Sequence, residues 1–97
     1  MGFFFEWDPN KARANLHNHG VTFEEATTVF GDTLSLTIYD DEHSDAEDRL
    51  IIMGVSLQQR LLVVVHTDRG ATIRIISARR ATAHERKMYE RNTEPYG

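Results

Sequence analysis

Residues 61–65 read Leu-Leu-Val-Val-Val, and this run does most to limit the fold. Five branched aliphatic residues in succession suit a strand, and the run is far too short to span a membrane. The stretch Arg60 to Thr67 is therefore expected mid-sheet. Asp68-Arg69-Gly70 follows as a hairpin turn into a second apolar strand, Thr72 to Ala78. Upstream, Leu34 to Tyr39 alternates apolar and polar residues, as a half-exposed antiparallel strand does. Arg49 to Val55 is the strand between, with a turn around Gly54 to Gln59. Together these four make a meander.

The N-terminal part adds one strand and two helices. Phe3 to Trp7 is short and aromatic. Asp8 is a good N-cap, Pro9 suits the first helical position, and Gly20 suits the stop after His19. Ala12 and Leu16 are expected inward, with Lys11, Asn15 and Asn18 facing elsewhere. Thr22 and Glu25 form a capping box, Val21 and Ala26 a hydrophobic staple, and Phe23, Ala26 and Phe30 the apolar face of a helix that Gly31 ends. A third helix, Thr82 to Arg91, has Met88 and Tyr89 as its main apolar residues and should dock weakly. The expectation is one α+β domain over residues 1–97, ordered from about residue 3 to 91. Its order is β-α-α-β-β-β-β-α, with a small, mostly antiparallel sheet, helices on one face and a polar C-terminal tail.

Composition removes several chemistries. There is no cysteine, hence no disulfide, thiolate nucleophile or thiolate metal site. The start lacks the basic and apolar regions of a signal peptide, and no run is long enough for a membrane span, so the cytoplasm is expected. Charge is unevenly spread. Residues 1–48 carry 2 Lys/Arg against 11 Asp/Glu, a balance of −9, and residues 49–97 carry 9 against 4, a balance of +5. Such halves point to an anionic partner for the basic one.

Within the basic half, Arg79 and Arg80 stand just before the third helix. Its free N–H groups and dipole already favour an anion there. Arg74 projects from the strand leading in. A guanidinium fork matches phosphate oxygens, which makes phosphate one reading; pairing with local carboxylates is the other. Thr82 and Glu85 form a capping box at the same point.

Other motifs carry less. His17 and His19 point about 200° apart on a helix and cannot share an ion. The acidic loop Asp40 to Asp48, with His43, lacks the glycine and terminal glutamate of an EF-hand; it reads as solvated, or as a source of carboxylates, Glu47 or Asp48, that hold the arginines. His66 ends the central strand on the side of Leu62 and Val64, as a core, rim or catalytic histidine. Trp7 is core, or an edge on which a base stacks. No serine elbow, Gly-rich phosphate loop or zinc spacing is present.

Three blocks, FEWDPNKARANLHNHGVTFEEA, GDTLSLTIYDDEHSDAEDR and LLVVVHTDRGATIRIISARRATAHERKMYE, closely resemble BrnT toxins of type II toxin–antitoxin pairs, from about Phe5 to Glu90. The resemblance implies a RelE-like fold, an RNA substrate, no cofactor and no metal. It also implies a BrnA-like ribbon-helix-helix antitoxin that alone contacts DNA, in a toxin–antitoxin hetero-oligomer. Translation would stop through RNA cleavage in which the RNA 2′-OH attacks its own phosphate. By this resemblance Arg79 and Arg80 would hold the scissile phosphate and Arg74 and Arg49 would add contacts if they reach the same face. His66, Glu47 and Tyr89 are the candidates for proton transfer, and Lys11 and Trp7 would line the substrate path. The alternative function is a non-catalytic module whose arginine face holds an acidic protein partner or RNA.

Overall fold

The computed structural model describes residues 2–40 and 48–93. In chain order the elements are β1 (Phe4–Glu6), α1 (Pro9–His19), α2 (Phe23–Thr28), a 3-10 turn (Val29–Gly31), β2 (Leu36–Tyr39), β3 (Leu50–Val55), β4 (Leu61–Arg69), β5 (Thr72–Arg80) and α3 (Ala83–Thr93). The five strands form one sheet in the order β1-β5-β4-β3-β2. The meander β2 to β5 is antiparallel throughout, and β1 lies parallel to β5 at the far edge. This is a mixed sheet in an α+β fold. Most of the acidic loop, including Glu47 and His43, and the tail from residue 94 lie outside the described residues.

β4 sits at the centre because its side chains need cover on both sides. Leu62 and Val64 join Ile52, Ile73, Ile75 and Ala78 under Val21, Phe23, Ala26 and Val29 from the α1–α2 side. Leu61 and Val63 point the other way, into a smaller cluster with Met53. Tyr89 of α3 packs on that second cluster. The helices therefore do not share one face, as the sequence pattern suggested: α3 covers part of the opposite one. At β3, Gly54 lets the 3-10 turn come close. A Cβ there would lie 3.0 Å from Val29 Cγ1 and 3.1 Å from Asp32 Oδ2.

α1 inverts one expectation. Leu16 is 49% exposed, whereas Asn15 is buried. The Asn15 amide donates to the carbonyls of Val21 (2.9 Å) and Ala78 (2.8 Å) and accepts from the Ala78 N–H (3.0 Å). β1 pairs only with residues 72–74 of β5. Further along that edge, Asn15 satisfies the Ala78 backbone as a neighbouring strand would. At the start of α2, the Thr22 hydroxyl caps the Glu25 N–H, but the Glu25 carboxylate does not close the box. It receives the Arg60 guanidinium and the Ser56 hydroxyl instead (2.8 Å to Ser56), so Arg60 above all holds its pKa below the usual carboxylate range against the upward push of burial. Arg60 also donates to the Gly20 carbonyl, tying the β3–β4 turn to the α1–α2 corner.

β5 runs two residues further than its apolar pattern. Arg79 and Arg80 are its last residues, opposite Val63 and Leu62, and not part of a surface connection. A bulge opposite Val65 and His66 inserts Ile76 into the strand. α3 has no buried residue. Segments with few buried contacts open at low free energy, so amides of α3 are expected to exchange with deuterium well before those of Leu61 to Val65. Equal protection in the two segments would contradict this.

Candidate functional site

Strand alternation gathers the arginines. Glu6 pairs with Arg74, and Arg74 with Thr67. Leu50 pairs with His66, so Arg49, one residue earlier, continues the row beside Thr67. The Asp40 N–H bonds the Arg49 carbonyl (2.8 Å) and extends the ladder to β2. Arg69 pairs with Thr72 one row outward, and Arg79 with Val63 nearer α3. Side chains two apart on a strand share a face. Val63 points to the α3 side, and so do Thr67 and Arg69; Arg49, Arg69, Arg74 and Arg79 therefore share that side of the sheet. α3 packs on the end of that side around Met53, Leu61 and Val63.

Arg80 belongs to the other side. Its strand partner Leu62 faces α1 and α2, and its charge acts on Glu25 there. Adjacent strand residues point apart, so Arg79 and Arg80 cannot grip one phosphate between them.

Arg79 sits at the border with α3. Its guanidinium meets Glu85 fork to fork, Nη1 to Oε1 and Nη2 to Oε2, both at 2.8 Å. The capping box is complete here: the Thr82 N–H donates to Glu85 Oε1 (2.9 Å) and the Glu85 N–H to Thr82 Oγ1 (3.2 Å). Arg79, chiefly, and the Thr82 N–H lower the Glu85 pKa to about 2 against the cost of burial, and Glu85 in turn raises that of Arg79. Local carboxylate pairing is thus realised for Arg79. Arg74 has a looser partner, Glu6 at 3.2 Å, and both side chains are more than a third exposed. Such a pair yields easily to another anion.

Of the proton-transfer candidates, Glu47 lies outside the described residues, and His66 and Tyr89 do not converge on this face. His66 is buried on the α1–α2 side, its ring 4.9 Å edge-on from Phe30 and its Nδ1 2.6 Å from Asp68 Oδ1; its Nε2 has no hydrogen-bond partner among the described residues. Tyr89 borders the face but donates its hydroxyl to Asp32 Oδ2 (2.6 Å). Burial first, then Asp32, pushes its pKa to about 12. Burial also pushes Asp32 upward, but Tyr89 and the N–H groups of Val55 and Leu34 outweigh it and leave that carboxyl below its ordinary value. Trp7 is half-buried with its ring edge-on to Phe23 at 5.8 Å, on the core side. Lys11 is exposed on α1. Of the nine residues singled out, Arg49, Arg74 and Arg79 share one side of the sheet with Tyr89 at the rim; Arg80, His66, Trp7 and Lys11 do not join them, and Glu47 lies outside the described residues.

The face also holds residues that sequence reasoning passed over. Arg69 read as a turn residue but ends β4, and Thr67 is buried with no hydrogen-bond partner for its hydroxyl among the described residues. Alternation counted back from Arg74 would have found Thr72 and Phe4 once the β1–β5 pairing was known. His84 is exposed in the first turn of α3, beside Glu85. Among the described residues no three His, Asp or Glu side chains cluster as metal ligands would, and no helix is long and apolar enough to cross a membrane.

Residues 7–85 match the family model described as ribonuclease toxin, BrnT, of type II toxin-antitoxin system. Among solved structures, the crystal structure of the Brucella abortus ribonuclease toxin BrnT is similar, with a TM-score of 0.61 at 21% identity over 84% of this chain and 97% of that one. No curated protein is matched.

Proposed function

The chain belongs to the BrnT family of type II toxin–antitoxin systems, and from that premise we propose that it is a metal-independent ribonuclease toxin acting through the arginine face of its sheet. The observation that carries this reading is the shared face of Arg49, Arg74 and Arg79. These groups can stabilise charge on a phosphate but cannot attack phosphorus. The nucleophile is then the substrate's own 2′-OH. Its oxygen bonds the adjacent phosphorus, the bond to the 5′-oxygen breaks, and the proton lost from the 2′-OH is balanced by one gained at the leaving oxygen. Arg74 and Arg49 hold the phosphoryl oxygens, and Arg79 adds its charge at the α3 border, where a phosphate competes with Glu85 for the fork.

The proposed partner is a BrnA-like ribbon-helix-helix antitoxin in the cytoplasm that covers this basic face. A second reading, a non-catalytic module for an acidic protein segment, draws on one observation: Arg79 already closes on a carboxylate in bidentate fashion.

Incubating the purified protein with RNA in excess EDTA separates the two. Cleavage is expected to persist and to leave 2′,3′-cyclic or 3′-phosphate ends, and a 2′-deoxy sugar at the cut site should protect the strand. Ends bearing 3′-hydroxyl and 5′-phosphate, or activity only after a divalent ion is restored, would overturn the mechanism. Intact RNA alongside tight antitoxin binding would favour the second reading.

A further inference from the structure

β1 places a bare aromatic ring beside the arginines. Phe4 is 72% exposed. It pairs with Thr72, two residues before the Glu6–Arg74 pair, and so shares their face. Phe5, between them, turns the other way and packs on Phe30 with ring centroids 5.3 Å apart. The α3 contact lies at the opposite end of this face, around Met53, Leu61 and Val63. A single exposed apolar side chain is ordinary on a protein surface. What sets Phe4 apart is its company: Arg74 is its diagonal neighbour, a relation that spans roughly 7–8 Å on a sheet, and Arg69 ends the same row as Thr72. Cations that follow a backbone, with an aromatic face on which a base can lie, are what proteins use to hold single-stranded nucleic acid.

We propose that Phe4 is a stacking platform for one unpaired base of the RNA, while Arg74 takes a neighbouring phosphate, so that the face selects single-stranded over duplex RNA. This deepens the ribonuclease reading above and rests on it. In a duplex the bases are already stacked on one another, and none can lay its face on the ring without leaving the helix.

Fluorescence anisotropy tests this with a labelled single-stranded oligoribonucleotide whose 2′-O-methyl groups deny the attacking hydroxyl, and with the same strand in a duplex. Phe4→Ala is expected to weaken single-strand binding about tenfold and to leave duplex binding unchanged. Phe4→Trp should restore it, and Phe4→Leu, apolar without a π face, should not. Arg74→Ala should weaken both forms and lower the salt dependence. Unchanged single-strand binding by Phe4→Ala, with loss in Arg74→Ala, overturns the platform and leaves the ribonuclease reading standing. No binding of either RNA by the wild-type protein sinks that reading itself. Loss of antitoxin binding in Phe4→Ala without loss of RNA binding would assign the ring to the protein partner and overturn the proposal. Melting temperatures of the Phe4 variants should stay near wild type, because the ring buries little.

Discussion

Arg79→Ala is expected to slow RNA cleavage about a hundredfold, and Arg80→Ala to leave it near the wild-type rate. The contrast follows from the register, which sends the two guanidinium groups to opposite sides of the sheet. Removing one preorganised donor from a developing anion costs roughly 3 kcal/mol of barrier. Arg79→Ala also frees Glu85, whose carboxylate then keeps only its cap to the Thr82 N–H. Loosening of α3 must therefore be separated from loss of charge at the phosphate. Glu85→Gln does so: it weakens the same contact but leaves the fork free for RNA. If Arg79 acts on the substrate, Glu85→Gln should bind RNA at least as well as wild type. If Glu85→Gln loses as much activity as Arg79→Ala, the pair is a brace for α3 and nothing more. Equal loss in Arg79→Ala and Arg80→Ala would contradict the one-face assignment.

Asn15→Ala should lower the melting temperature by about 15 °C or more. The amide makes three hydrogen bonds to backbone groups of Val21 and Ala78 and is 6% exposed. Each buried group left unpaired costs about 1–3 kcal/mol. A loss of about 3 kcal/mol would be a large share of the roughly 5–15 kcal/mol that holds a domain together, and each kcal/mol moves the midpoint of a domain this size by about 4–8 °C. Asn15→Asp should be no better, because a carboxylate turns an acceptor toward two carbonyls. Thermal unfolding followed by circular dichroism checks both. A shift of only about 2 °C in Asn15→Ala would mean that water replaces the amide.

That residue marks a limit of sequence reading. Helical spacing pairs Ala12 with Leu16 because it counts apolarity, and it has no means of seeing that Ala78 lacks a strand neighbour on one side. Leu16 is left in solvent as a result. The elements themselves were legible: the Leu-Leu-Val-Val-Val centre, the alternation in β2, the proline and glycine bounds of α1, and both hydroxyl caps. The capping boxes differ in outcome for a tertiary reason. Glu85 has Arg79 beside it and closes its box, whereas Glu25 meets Arg60 from 35 residues away and leaves its own half open. For the arginines, local pattern suggested a connection at Arg79 and Arg80. The Ile76 bulge and the length of β4 carry the strand through them, and which of the two shares a side with Arg74 depends on a register that only long-range pairing sets.

The parallel pairing of β1 with β5 also governs when Phe4 is added to the arginine face. Residues 4–6 find their partners at residues 72–74, and Asn15 finds Ala78 63 positions later. A nascent chain can form α1 and the hairpins of the meander from neighbours alone, but its N-terminal segment has nothing to pair with until most of the chain has been translated. Folds that rely on such distant pairings form slowly, because loop closure must be met before the contacts reward it. Arg49, Arg69, Arg74 and Arg79 belong to that meander and can share a face before β1 docks, so Phe4 joins them last. An incomplete chain can therefore carry the cationic row without the aromatic edge that β1 supplies.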